Sequence, residues 1–486
     1  MSIKELEPQI VWTYFDQLNQ VPRPSRKEEK VIRFLLDFAN EHGLESKKDH
    51  AGNVLIQKPA SIGKENLQKI ILQSHVDMVC EKNKDVNHNF ETDPIRTYIE
   101  NGWVKARGTT LGADDGIGVA AALAILASRD IEHGPIEALF TVDEETGLTG
   151  AYALEKNFLT GNILLNLDTE EEGQLYIGCA GGKATRVTFE YKEEKTPAGY
   201  FWFEVDVKGL NGGHSGSEID RGLGNANKIL NRFLWALDRK FGLVLAQISG
   251  GNLHNAIARE AHAVAGVPQD KKEQVIVELN HFIPDIESEL KNVDPQVKVL
   301  LQSVEAPAGV IDRKTTHHLL NGIYACPHGV LGMSADVPGL VETSTNLASV
   351  KMGENHTILI TTSQRSSTES LKNDAANRVN AVFTLAEAKV EHSDGYPGWK
   401  PNPDSPILHV AQKSYKELFG VEPQVKAIHA GLECGLFLEK YPYLDMVSCG
   451  PTITGAHSPD EQINIETVSK WWRLLLDILK NIPEKK

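Results

Sequence analysis

Apolar runs of strand length recur through the first part of the chain, and several end abruptly in acids or histidine. Ile71–Leu–Gln–Ser–His75–Val–Asp77–Met–Val79 is the first such run. Side chains alternate along a strand, so positions 75 and 77 share a side. Pro135–Ile–Glu–Ala–Leu–Phe–Thr–Val142 runs into Asp143–Glu144–Glu145, and Gly161–Asn–Ile–Leu–Leu–Asn–Leu–Asp168 repeats the pattern. Further strands are expected at 52–57, 103–105 and 174–179. Between them, apolar residues at helical spacing predict helices over 6–19, 26–42 and 117–128. Ser25 followed by Glu28 is a capping-box signature for the second helix. This alternation predicts an α/β sheet flanked by helices, with a site along one edge.

The pattern changes near residue 184. Tyr200–Phe–Trp–Phe–Glu–Val–Asp–Val207 alternates with period two in its second half, as a half-exposed antiparallel strand does. Helices are expected at 222–239, 271–290, 312–322 and 368–387, with strands at 297–301, 347–351 and 357–362. After Gly395–Tyr–Pro397 the α/β pattern returns: helix 405–419, strands near 423–428 and 444–449, and a last helix over 464–481. The expected organisation is a first domain over 1–183, an inserted α+β domain over 184–397, and a return to the first domain over 398–486.

At 486 residues the chain is too long for one core. Its composition, 41% hydrophobic and 24% charged, is that of an ordinary globular protein. A formal net charge of −16 argues against nucleic acid or an anionic membrane as partner. The five cysteines are odd in number and without Cys-x-x-Cys spacing, which suits a reducing compartment. With no apolar signal core at the N-terminus and no stretch able to span a bilayer, a cytoplasmic location is expected.

The strand-end residues carry the chemistry. A lone histidine there is as well explained by satisfied structure, and three consecutive acids by a charged turn. Their recurrence changes the balance. Gly108–Thr–Thr–Leu–Gly112–Ala–Asp114–Asp115–Gly116 puts two more acids at the mouth of a glycine-rich loop, which lacks the lysine and spacing of a nucleotide loop. His457 sits in Gly455–Ala–His457–Ser–Pro459, before the last helix. Two imidazoles (His75, His457) and three carboxylates (Asp114, Glu145, Asp168) suit zinc better than calcium or magnesium. Five ligands exceed the three usual for one catalytic zinc and fit two ions sharing a carboxylate.

In order and content these motifs resemble the co-catalytic zinc exopeptidase family that includes carboxypeptidase G, peptidase T and peptidase V. The resemblance covers nearly the whole chain. Thr109–Gly118, Asn211–Gly–Gly–His–Ser–Gly216 and His429–Ala–Gly–Leu–Glu–Cys–Gly–Leu436 point to its dipeptidase branch. Ser74, where many members have glycine, and Gly116–Ile117, where many have Lys-Gly, depart from the commoner pattern without removing a ligand.

The resemblance implies a zinc-exopeptidase-like mixed sheet with an inserted lid domain, and two Zn2+ per chain, with Co2+ or Mn2+ as substitutes. His75, Asp114 and Asp168 would hold one ion, and Asp114, Glu145 and His457 the other. The Asp114–Asp115 peptide would be cis. Asp77 would orient His75, and Glu144 would be the general base for attack by metal-bound hydroxide. His214, Asn255 and Arg365 would bind substrate, with His254 and His429 as further candidates. The implied substrates are unblocked dipeptides, including those ending in histidine such as β-alanyl-histidine, and the implied assembly is a homodimer. A tripeptidase, an N-acyl amino acid deacylase, a phosphoesterase and a non-catalytic binding protein are the alternatives. Retention of all seven site positions weighs against the last. The two histidines, and the lack of a phosphate loop, weigh against the phosphoesterase.

Overall fold

In the computed structural model, which describes residues 2–485, Ile70–His75 is a strand buried along its whole length. It lies inside an eight-stranded mixed sheet. The strands are β1 (Glu45–Lys48), β2 (Val54–Lys58), β3 (Ile70–His75), β4 (Ile136–Thr141), β5 (Ile163–Asn166), β6 (Gln174–Cys179), β7 (Gln424–Ile428) and β8 (Asp445–Ser448), in the order β1-β2-β4-β3-β5-β8-β6-β7. The central four, β4, β3, β5 and β8, run parallel. Strands buried on both faces read as continuous apolar runs, which is why these segments show no alternation.

Helices Gln9–Asn19 (α1), Glu29–His42 (α2) and Ala113–Ala127 (α3) precede β4 in the chain. Helix α3 packs against α1 and β3 and is buried from Gly116 to Leu126. Its alanines allow that close approach. Pro406–Phe419 (α4), Cys434–Lys440 (α5) and Ile465–Lys480 (α6) belong to the returning segment. The expected capping box does not form. Helix α2 starts one residue after Glu28, which makes no side-chain cap. The Ser25 hydroxyl donates to Asp77 Oδ2 at 2.8 Å, and Glu28 Oε1 accepts the Asp143 N–H at 3.0 Å. Both side chains are engaged by the strand ends instead.

The chain divides into two compact units. Unit 1 holds the chain through Gly178, Pro401–Ala427 and Leu432 onward; unit 2 holds Cys179–Lys400 and Ile428–Gly431. The second unit thus begins at Cys179 rather than 184 and ends its main segment at Lys400 rather than 397. The Cys179 N–H donates to the Trp399 carbonyl at 2.9 Å, and the Ala180 N–H to the carbonyls of Ile428 and Ala430 at 3.0 and 2.9 Å. These bonds tie the ends of the insertion together.

Unit 2 is built on a nine-stranded antiparallel sheet. Its longest pairing joins Thr357–Ser366 to Gly181–Glu190, and Thr357–Ser366 also pairs with Val341–Met352. Helices Ala226–Phe241, Lys272–Leu290, Arg313–Ala325 and Glu369–Leu385 contribute to its core, around Phe203, Phe233 and Phe383. Among the described residues, no helix is long and apolar enough to cross a membrane.

Candidate metal centre

Three neighbouring parallel strands deliver their chemistry at their C-terminal ends, where open α/β sheets bind ligands. His75 ends β3, Glu144 and Glu145 open a helical turn after β4, and Asp168 lies two residues beyond β5. Asp114 stands at the start of α3, where the Asp114–Asp115 peptide is cis. His457 comes from the loop between Ile453–Thr454 and Gln462–Asn464 and has a left-handed backbone, φ +63°.

These side chains converge. His75 Nε2 is 3.2 Å from Asp114 Oδ1 and 3.6 Å from Asp168 Oδ1. His457 Nε2 is 3.2 Å from Asp114 Oδ2 and 3.1 Å from Glu145 Oε2. Asp114 thus turns one oxygen to each histidine. Two donors on one tetrahedral zinc, each at 2.0–2.2 Å, would lie about 3.3–3.6 Å apart. The observed spacings, 3.1–3.6 Å, reach that separation or fall just short of it, and the donors are of the nitrogen and oxygen type zinc takes. Glu145 Oε1 is buried without a hydrogen-bond partner, as an oxygen awaiting a cation would be. The residues fit a pair of metal ions.

Asp77 stands behind this group. Its Oδ1 accepts the Glu144 N–H at 3.0 Å, and its Oδ2 accepts the Glu145 N–H at 3.2 Å. Its approach to His75 Nδ1 is longer, 3.5 Å. Asp77 therefore holds the acidic turn by two hydrogen bonds, whereas His75 Nδ1 is buried without one.

Charge crowding has visible effects. Burial, with the nearby Asp168, Glu433 and Glu145 charges, raises the Glu144 carboxyl well above the usual range. Burial and Asp114 push Asp168 up to about 7, and burial with Asp114 and Asp168 pushes Glu170 up to about 8. Hydrogen bonds to Asp114 and Glu145 push the His457 imidazole up to about 11. Without cations, burial and mutual repulsion favour the protonated forms of Glu144, Asp168 and Glu170. Metal ions placed among the same oxygens would displace those protons.

A sequence model of Peptidase family M20/M25/M40 matches residues 71–481. The chain belongs to this family. It is 44% identical over 484 residues to the cytosol non-specific dipeptidase of Escherichia coli (strain K12), with 100% of each chain covered. The crystal structure of aminoacylhistidine dipeptidase from Vibrio alginolyticus superposes with a TM-score of 0.94 at 42% identity, covering 100% of this chain and 99% of that one. Aminopeptidase PepT from Bacillus cereus shares the fold, with a TM-score of 0.58 at 17% identity, covering 98% of this chain and 99% of that one. The family resemblance read from the motifs and the expected mixed-sheet fold both hold.

For this M20/M25/M40 peptidase, the substrate-binding residues expected from sequence lie in unit 2. A Cβ on Gly216 would fall 3.0 Å from His214 Cε1, 3.3 Å from Arg365 Nε and 2.3 Å from the His429 carbonyl oxygen. These groups converge where only glycine fits. Arg365 is buried, donates from Nη1 to the Tyr396 hydroxyl at 3.0 Å, and keeps Nε without a partner. With Tyr396 and His254 it lines a cavity of about 220 Å³. Asn255 joins through its main chain, its carbonyl accepting the Ser215 N–H at 2.8 Å. His429 is buried against Ser344 Oγ at 2.7 Å, and burial and Arg365 push it down to about 3, so it is neutral.

Sequence reasoning missed a buried polar layer under the candidate site. Gln73, Thr141 and Asn166, inside β3, β4 and β5, each lie two residues before His75, Asp143 and Asp168. Gln73 Nε2 and Thr141 Oγ1 each donate to Glu433 Oε2 at 2.7 Å, and Asn166 Nδ2 donates to Gln73 Oε1 at 2.5 Å. Burial pushes the Glu433 carboxyl up to about 8. The period-two spacing was the available signal, since polar residues inside apolar strands need partners.

Proposed function

We propose that the chain is a dizinc dipeptidase that hydrolyses unblocked dipeptides, including those with C-terminal histidine. The observation that carries this reading is the split of Asp114, one carboxylate oxygen toward His75 and the other toward His457. His75 and Asp168 would complete one metal set, and Glu145 and His457 the other. The identity of these relatives as dipeptidases supports the substrate class.

A bound metal pair supplies Lewis acidity to the scissile carbonyl and lowers the pKa of water. The chain's own residues do the rest. Glu144 accepts the proton of the attacking water as its oxygen joins the carbonyl carbon. It then delivers that proton to the amide nitrogen as the C–N bond breaks. Asp77 holds Glu144 through its main-chain N–H, which fixes the backbone from which the base projects. The family resemblance assigns His214 to the developing oxyanion, Arg365 to the substrate's terminal carboxylate and Asn255 to an assisting role. The buried, unpartnered Arg365 Nε supports that assignment. Cytoplasmic location and assembly as a homodimer complete the reading; sedimentation of a monomer alone would remove the dimer.

The test is histidine release from β-alanyl-histidine by protein stripped with a chelator and then resupplied with zinc. Release restored at about two zinc ions per chain supports the reading. Cleavage of acylated amino acids or tripeptides in place of dipeptides would move it to the alternative substrates.

A further inference from the structure

Glu461 is not among the metal ligands, yet its carboxylate is the most heavily engaged near them. Oε2 accepts the main-chain N–H groups of Leu111 at 2.8 Å and Gly112 at 3.0 Å. Oε1 accepts those of Ala113 at 2.7 Å and Asp114 at 3.3 Å. Four successive N–H groups thus close on one side chain that is 3% exposed. Such concavities need a left-handed residue in the turn, and Gly112 supplies it with φ +67°.

The other side of the same segment is held by Arg23, which is 1% exposed. Its Nη2 donates to the Gly112 carbonyl at 2.5 Å, and its Nη1 to the carbonyls of Val76 and Asp77, both at 3.1 Å. Gly112 is therefore pinned by its N–H to Glu461 and by its carbonyl to Arg23. Any side chain there would meet Arg23 Nη2 at 2.5 Å. Arg23 fixes this segment to the end of β3, which carries His75. Glu461 fixes it to the loop carrying His457, four residues earlier. Within that loop the Glu461 N–H donates to the Ser458 carbonyl at 3.1 Å, and the Ser458 hydroxyl to the Gly455 carbonyl at 2.7 Å.

We propose that Glu461 is a positioning residue that presets Asp114 as the shared ligand and couples it to His457 before any metal arrives. The inference rests on the metal-centre reading above and adds a residue that is neither ligand nor base. Its carboxylate is filled by N–H donors, so it does not compete for the ions. In Glu461→Gln an amide NH2 must face two of those donors, and the 111–114 segment moves off its position.

Metal affinity is the direct test. Metal-free wild type and Glu461→Gln are titrated with zinc against a chromophoric chelator, and their visible spectra are recorded with Co2+. The variant is expected to bind metal about 10–100-fold more weakly, with an altered Co2+ spectrum and an unchanged far-UV circular dichroism. Wild-type affinity and spectrum in the variant would overturn the proposal. A second measurement needs no variant. Amide hydrogen exchange in metal-free wild type should show residues 111–114 protected, and exchange there at the rate of an open loop would equally overturn it. If wild type itself binds no metal pair, the metal-centre reading fails, an outcome distinct from either of these.

Discussion

The Glu144 main-chain N–H donates to Asp77 Oδ1 at 3.0 Å, although 67 residues separate the two in sequence. The side chain that faces His75 thus also fixes the backbone of the proposed base. Asp77→Asn should lower activity and metal affinity together, each about 10–100-fold, because one of the two bonds to the acidic turn meets an amide instead of an oxygen. Parallel assays of dipeptide hydrolysis and zinc content check this. A loss of activity with unaltered metal binding would limit Asp77 to the turn.

Glu144→Ala removes the proton carrier and leaves every proposed ligand in place. Turnover should fall by about 10²–10⁴-fold while two zinc ions per chain remain. Metal analysis of the same preparation used for kinetics decides the matter.

Arg365→Ala should weaken dipeptide binding by about 10–100-fold, the scale of hydrogen bonds to a charged group. The loss should appear in KM for free dipeptides. The corresponding C-terminal amides, which lack the carboxylate, should be almost indifferent to the change.

Glu433 gives a pH signature in metal-free protein. Its folded pKa, raised by burial to about 8, exceeds the ordinary value of 4.5. Between those values the folded chain keeps a proton that the unfolded chain has lost, so stability falls as pH rises through the window. Glu433→Gln keeps hydrogen-bonding capacity and removes the titration. Urea melts from pH 4.5 to 8 should show a shallower decline in the variant than in the parent. Identical slopes would mean that Glu433 does not hold its proton in the fold.

The strand ends were legible in sequence because hydrophobic runs and the acids that stop them are local patterns. His75, Glu145 and Asp168 stood out for that reason, Asp114 and His457 through the glycine-bearing motifs around them, and the structure brings the five together. Arg23, Glu433 and Glu461 did not stand out. Each is a single polar residue whose partners are backbone groups or buried polar side chains far along the chain, and neither periodicity nor spacing marks such a bond. Ser25 and Glu28 were misread for a related reason. Their spacing fits a local cap, but contacts with Asp77 and the Asp143 N–H prevail. Local patterns located the ligands, whereas the residues that aim them depend on tertiary contacts.

His457 and Asp114 meet across 343 residues of chain, with the whole of unit 2 synthesised between them. A ribosome must therefore synthesise all of unit 2 before both histidines can share Asp114. Non-local closure of this kind comes late, since its loop entropy is met only when the distant segment arrives. A chain that stops short of His457 holds His75 and the acids but lacks one of the proposed ligands, so the proposed hydrolytic capacity is withheld until that residue is made.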